Sequence, residues 1–256
     1  MKKQVLFAEN TREALVYPFL FVFLLWIIWF AQETNLIELN QFGLLPRSFD
    51  GLIGIIIMPL LHSTSDAQHI LSNSLPAYFL MAGLIYYYKP IALKVFILSW
   101  LLTGIVLWII AENTGARHVG FSGIIYALVS FLFLSGILRK FIYLQVLSLL
   151  VVFLYGSLIW GIFPTKEPIS WEGHLSGLLV GIFLSYVYRF EGPQRVKFSY
   201  ELEKEMGIEP PDLEGIYNEK MAVLQEEERR MSEIEPPTYI YYYVTKNVKL
   251  PPETDL

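Results

Sequence analysis

The chain has 256 residues, 54% hydrophobic and 17% charged, with four histidines, no cysteine and a formal net charge of −5. A mean hydropathy of +0.46 is too apolar for an ordinary water-soluble domain and points to a multi-spanning membrane protein. The absence of cysteine excludes a disulfide framework and thiolate metal sites, and the acidic balance argues against a nucleic-acid partner.

The negative charge is concentrated at one end. Residues 1–189 hold 11 Lys and Arg against 9 Asp and Glu, a net +2, whereas residues 190–256 hold 8 against 15, a net −7. Residues 1–13 are polar, with Lys2, Lys3 and Arg12, and read as a cytoplasmic N-terminal segment. The apolar run Ala14–Ala31 follows. Its basic start resembles a signal peptide, yet it has the length of a span and no small-residue cleavage site follows Trp29-Phe-Ala-Gln32. It reads as the first transmembrane helix. Gln32–Asp50 is polar with turn formers, and Gly51–Leu61 is apolar but too short to cross, as expected of a half-inserted or interfacial segment.

Five more spans are predicted over about 69–88, 91–111, 120–138, 141–163 and 173–189, each near the ~20 residues a bilayer requires. Basic residues in the connections set the orientation. With the N-terminus inside, the cytoplasmic set is Lys2, Lys3, Arg12, Lys89, Lys94, Arg139, Lys140, Arg189, Arg195 and Lys197, against Arg47, Arg117 and Lys166 outside. Both termini are therefore expected in the cytoplasm. Residues 190–256 form an acidic cytoplasmic tail. A surface helix is predicted over Asp212–Ile234, with Leu213, Tyr217, Leu224 and Met231 roughly on one face, and Thr238–Thr245 has strand composition.

Polar side chains inside spans are costly and ask for a partner or a job. The second span opens Gln68-His-Ile-Leu-Ser-Asn-Ser74, which puts His69 and Asn73 on one helix face. The fourth opens Gly120-Phe-Ser-Gly-Ile-Ile-Tyr126. Ser122 there sits among glycines at a helix start, where free backbone N–H groups and the positive dipole end converge. Ser122, Tyr126 and Ser130 make one polar stripe. The sixth span opens Trp171-Glu-Gly-His-Leu-Ser-Gly177, and Gly173, Gly177 and Gly181 form a ladder that lets helix backbones approach closely. The topology sets Ser122, His174, His69 and Asn73 at similar depth near the outer helix ends.

That set matches an acyl-transfer chemistry. A serine hydroxyl becomes a nucleophile when a base lies in hydrogen-bond reach, and histidine is the usual base near neutral pH. Attack on an amide builds an oxyanion, for which Asn73, His69 and the Ser122 N–H are suitable donors. A dyad rather than a triad is expected at His174, with Tyr126 stacked on the imidazole. His62 and His118 read as interfacial loop residues. The histidines show no metal-site spacing, and neither a metal nor a cofactor is expected.

Gly-Phe-Ser-Gly (120–123) with Tyr126, His69-x-x-x-Asn73, and His174-x-x-Gly177-x-x-x-Gly181, on the second, fourth and sixth of six helices, resemble the rhomboid intramembrane serine proteases. The resemblance covers about residues 14–189. It implies an all-α membrane protein, a six-transmembrane-helix bundle around a water-filled cavity that opens outward, here with a cytoplasmic C-terminal extension. It also implies an endopeptidase that cleaves transmembrane segments of other proteins near the bilayer surface. By matching position Ser122 is the nucleophile and His174 the base, with His69 and Asn73 lining the oxyanion hole. Tyr126, Gly120, Gly123, Gly177 and Gly181 are then supporting residues. Ile124 breaks the Gly-x-Ser-x-Gly pattern of soluble α/β-hydrolases. The sequence departs from many members at Leu45-Pro-Arg-Ser-Phe-Asp50, which has Arg47 but no preceding tryptophan.

Two other classes compete with the enzyme. A non-catalytic rhomboid-like factor that binds membrane segments usually lacks the serine or histidine. A small transporter would be favoured by acids in mid-span, and Glu112 and Glu172 sit at span ends. The compact six-helix core points to a bacterial cytoplasmic membrane as the location, with the lipid bilayer and transmembrane substrates as partners.

Overall fold

The computed structural model describes residues 2–65, 67–112, 114–140, 142–154, 160–164, 170–192, 198–209, 211–234 and 239–241. These are helical, with no strand among them and one backbone bridge between Leu44 and His118. Long helices are α1 (Lys2–Glu33), α3 (Ala67–Tyr88), α4 (Ala92–Ile110), α5 (Ser122–Leu138), α6 (Ile142–Leu154) and α7 (Trp171–Val187). A short α2 (Gly54–Ile57) lies between 3-10 turns at Phe49–Gly51 and Met58–Leu60. The chain divides into two compact units, Met1–Val196 and Lys197–Leu256.

Helix α5 is the axis of the first unit. Gly123 through Leu128, Ser130 through Leu132, Ser135 and Gly136 are all buried on it. Its most extensive neighbour is α7, with α6, α3 and α4 also against it. The glycine ladder explains the α5–α7 approach. A methyl at Gly177 would overlap the Gly123 carbonyl oxygen, and one at Gly181 would overlap Ala127 O and Ser130 Oγ. The backbones thus touch where side chains would hold them apart. Ser130 spends its hydroxyl on Tyr126 O at 2.9 Å and on Leu178 O of α7 at 3.1 Å.

The outer faces of the bundle are apolar. Phe19, Leu20, Phe23, Ile27 and Phe30 on α1 are exposed, as are Leu93, Ile97 and Ile109 on α4 and Leu179, Phe183 and Tyr186 on α7. An apolar surface of that extent is unstable in water and stable in lipid. Two described segments, Thr11–Glu33 and Ala92–Ile110, are long and apolar enough to cross a membrane by length and composition. The expected fifth span over 141–163 lies partly outside the described residues.

The expected interfacial stretch Gly51–Leu61 is a series of short helical turns packed on α4. Trp108 Nε1 donates to Ser48 O at 3.0 Å, and Arg47 N–H donates to Trp108 O at 3.1 Å. Trp108 thus ties the loop at Arg47 and Ser48 to α4. At the opposite end of the bundle Arg139 is buried, although its charge reads from sequence as part of a solvated connection. It donates to Ser135, to Tyr188 O and to Glu191 O, and its guanidinium lies 5.0 Å over the Tyr88 ring. The side chain ties the ends of α3, α5 and α7 together.

In the second unit α8 (Ser199–Glu205) and α9 (Leu213–Glu233) are described. Asp212 caps α9 by accepting the Gly215 N–H at 2.8 Å, and Arg229 pairs with Glu226 at 2.9 Å and Glu233 at 3.2 Å. Leu213, Tyr217, Leu224 and Met231 are exposed. The strand predicted over Thr238–Thr245 lies outside the described residues except for Tyr239–Tyr241, which are irregular.

Candidate active site

Ser122 is the first residue of α5, and the turn before it is held on three sides. Gly120 has φ +124°, a conformation that only glycine adopts without strain, and its N–H donates to Met58 O at 3.0 Å. Phe121 is fully buried among Phe21, Phe96 and Trp100, with ring centroids 5.0–6.3 Å apart. His174 lies in the first turn of α7, whose start is capped by Ser170: its Oγ accepts the Gly173 N–H at 3.2 Å.

The two helix starts bring Ser122 Oγ to 2.8 Å from His174 Nε2. The other ring nitrogen, Nδ1, is 2.9 Å from the carbonyl oxygen of Gly161. A carbonyl only accepts, so Nδ1 carries the proton and Nε2 presents its lone pair to the serine hydroxyl. The imidazole is fixed from its face as well: the Tyr126 ring is stacked on it, centroids 4.3 Å apart and planes 14° from parallel. A backbone carbonyl stands where many serine hydrolases place a carboxylate.

Gly161 has a second constraint. A Cβ there would overlap the Tyr126 hydroxyl and lie 2.8 Å from His174 Nδ1. Gly161→Ala is therefore expected to displace the imidazole and slow any reaction at Ser122 by about a hundredfold. Rates of covalent modification by a serine-directed fluorophosphonate, beside wild type, check this.

His69 comes close to the same place. A Cβ at Gly120 would lie 3.0 Å from His69 Nε2 and 3.9 Å from Ser122 Oγ, so glycine at 120 leaves the space between them open. Asn73, one turn along α3, is buried, and its Nδ2 has no hydrogen-bond partner among the described residues. A buried amide donor left unpaired costs ~1–3 kcal/mol and calls for an explanation. Gly123, Gly177 and Gly181 lie at the α5–α7 contact.

His62 lies in the loop before α3, as the sequence suggests, but is sealed from the surface. It is completely buried, its ring centroid 5.2 Å from that of His69, and its Nε2 faces the Phe121 N–H at 3.5 Å. Burial, with His69 next to it, holds its imidazole well below the usual range, so it is neutral. Gly161 and His62 were both missed.

A helical bundle with an apolar exterior and polar side chains gathered at its helix starts defines an integral membrane protein. The chain belongs to the rhomboid family: the Rhomboid domain profile matches residues 50–190. An uncharacterized protein of Mycobacterium tuberculosis is 31% identical over 188 residues, covering 68% of this chain and 74% of the relative. An uncharacterized protein of Mycobacterium leprae is 26% identical over 203 residues, covering 75% and 76%.

Proposed function

We propose that the chain is an intramembrane serine endopeptidase that cleaves transmembrane segments of other membrane proteins. The observation that carries this reading is the 2.8 Å contact between Ser122 Oγ and His174 Nε2, with Nδ1 anchored on Gly161 O. Ser122 attacks the scissile carbonyl as His174 takes its proton. The imidazolium then returns that proton to the leaving amine, and an acyl-enzyme on Ser122 remains. Water attacks the ester, His174 again acting as base, and releases the second product. The unpaired Asn73 Nδ2, the Ser122 N–H and His69 supply donors to the oxyanion in both halves. The dyad needs no carboxylate, because the Gly161 carbonyl fixes the tautomer.

Six spans, both termini in the cytoplasm and an active site near the outer face complete the proposal, with residues 14–189 as the protease domain. The bacterial cytoplasmic membrane is the proposed location. A substrate helix must unwind to present a peptide bond, and lipid penalises the backbone groups this frees. Substrates with Gly or Pro near the outer face are therefore expected to be cleaved faster than all-Leu versions. Helix propensity sets the gain at up to about fivefold for Gly and about a hundredfold for Pro. The test is cleavage of such a series by purified protein in liposomes. Equal rates across the series would refute recognition through unwinding.

A further inference from the structure

His118 lies outside the reacting set but is joined to it. It sits in the loop before α5, and its backbone is paired with Leu44, N–H to O at 2.8 Å in one direction and 3.0 Å in the other. The loop around Leu44 and the loop leading to Ser122 are thus one unit. The His118 side chain reaches across to α7, with Nδ1 2.7 Å from Ser170 Oγ.

Ser170 is the residue on which α7 begins. Its Oγ accepts the Gly173 N–H, and its carbonyl accepts from Gly173 N–H at 3.1 Å and His174 N–H at 3.3 Å. The Gly173 N–H takes one lone pair of Oγ, which leaves the hydroxyl proton and the second lone pair for Nδ1 of His118, the tautomer of the ring setting which of the two donates. Partial burial holds the His118 imidazole below its ordinary range, against an opposing pull from the Glu172 carboxylate.

We propose that His118 is a positioning residue for the dyad: its hydrogen bond to the Ser170 hydroxyl fixes the cap of α7, and through the cap the first turn that carries His174. The inference rests on the Ser122–His174 reading. It gives the loop before α5 a role at both reacting groups, since its backbone leads into Ser122 while its side chain holds the start of the helix that bears the base. His118 touches neither Ser122 nor His174, so its effect falls on the rate of the covalent step and not on binding.

The test uses the full chain in detergent and a fluorophosphonate probe, with the first-order acylation constant and the apparent probe affinity measured separately. Four variants are compared with wild type: His118→Phe, His118→Asn, Ser170→Ala and the double His118→Phe/Ser170→Ala. The asparagine amide keeps a hydrogen-bonding group, able to accept or donate, near the place of Nδ1. His118→Phe and Ser170→Ala are each expected to lower the acylation constant about tenfold with affinity unchanged. His118→Asn should stay within about threefold of wild type, and the double variant should be no slower than the slower single, because both act through one hydrogen bond. His118→Asn as slow as His118→Phe, losses that multiply in the double variant, or an effect on affinity alone overturns the inference. A His118→Phe rate equal to wild type also overturns it and leaves the dyad standing. Labelling that does not depend on Ser122 and His174 removes the dyad reading, and this inference falls with it.

Discussion

Substitution of His174 by alanine is expected to slow peptide-bond cleavage by about 10⁴-fold or more, and Ser122→Ala to remove it. A neutral serine hydroxyl is a poor nucleophile, and its proton has a basic acceptor in reach, His174 Nε2 at 2.8 Å. The imidazole is held on three sides, by Ser122, by Gly161 O and by the Tyr126 ring, so it arrives oriented. Its removal therefore costs both the base and the geometry. The two groups act as a unit, and the double variant should be no worse than Ser122→Ala alone. Initial rates on a transmembrane substrate in liposomes measure this, with thermal unfolding as the control for folding. Losses that multiply in the double variant would mean that the residues work separately.

The second large effect is expected at Asn73, where alanine should reduce kcat by about 10²–10³-fold with KM nearly unchanged. Its buried Nδ2 is without a partner among the described residues, a cost to the resting fold that a developing oxyanion would offset. A donor that bonds only in the transition state lowers the barrier without tightening ground-state binding. The same logic fixes the sign for stability. Removing an unpaired buried amide should leave thermal stability equal or higher even as the rate falls. Steady-state kinetics and melting of Asn73→Ala, measured together, decide the matter. A parallel loss of rate and stability would assign Asn73 a packing role.

Much of the site was legible because helices are periodic. The i, i+4 spacing of His69 and Asn73, the serine between glycines and the Gly173–Gly177–Gly181 ladder each declare a face or a helix start. The ladder also foretold a close helix pair, although not that its partners would be Gly123, Ala127 and Ser130. What escaped was contact between parts distant in the chain. Gly161 is one more glycine in an apolar run until the fold brings its carbonyl to His174 Nδ1. His62 follows a short apolar segment and reads as interfacial, yet it is sealed beneath the turn that carries Ser122. Arg139 counts as an inner-face charge in sequence but is consumed as a clamp by carbonyls of residues about fifty positions away. Trp108, an apolar residue of a span in sequence, binds the Ser48 carbonyl of a loop sixty positions away. In each case one residue type permits several environments, and tertiary packing chose among them.

The proposed activation of Ser122 by His174 can be tested at the serine itself. The most direct measurement is mass-spectrometric mapping of the residue modified when the folded, detergent-solubilised protein is treated with a fluorophosphonate, in wild type and in His174→Ala. A single phosphonylated residue, Ser122, is expected in the wild type and none in the variant over the same time. Modification of a different serine, or of Ser122 equally in both proteins, would contradict it.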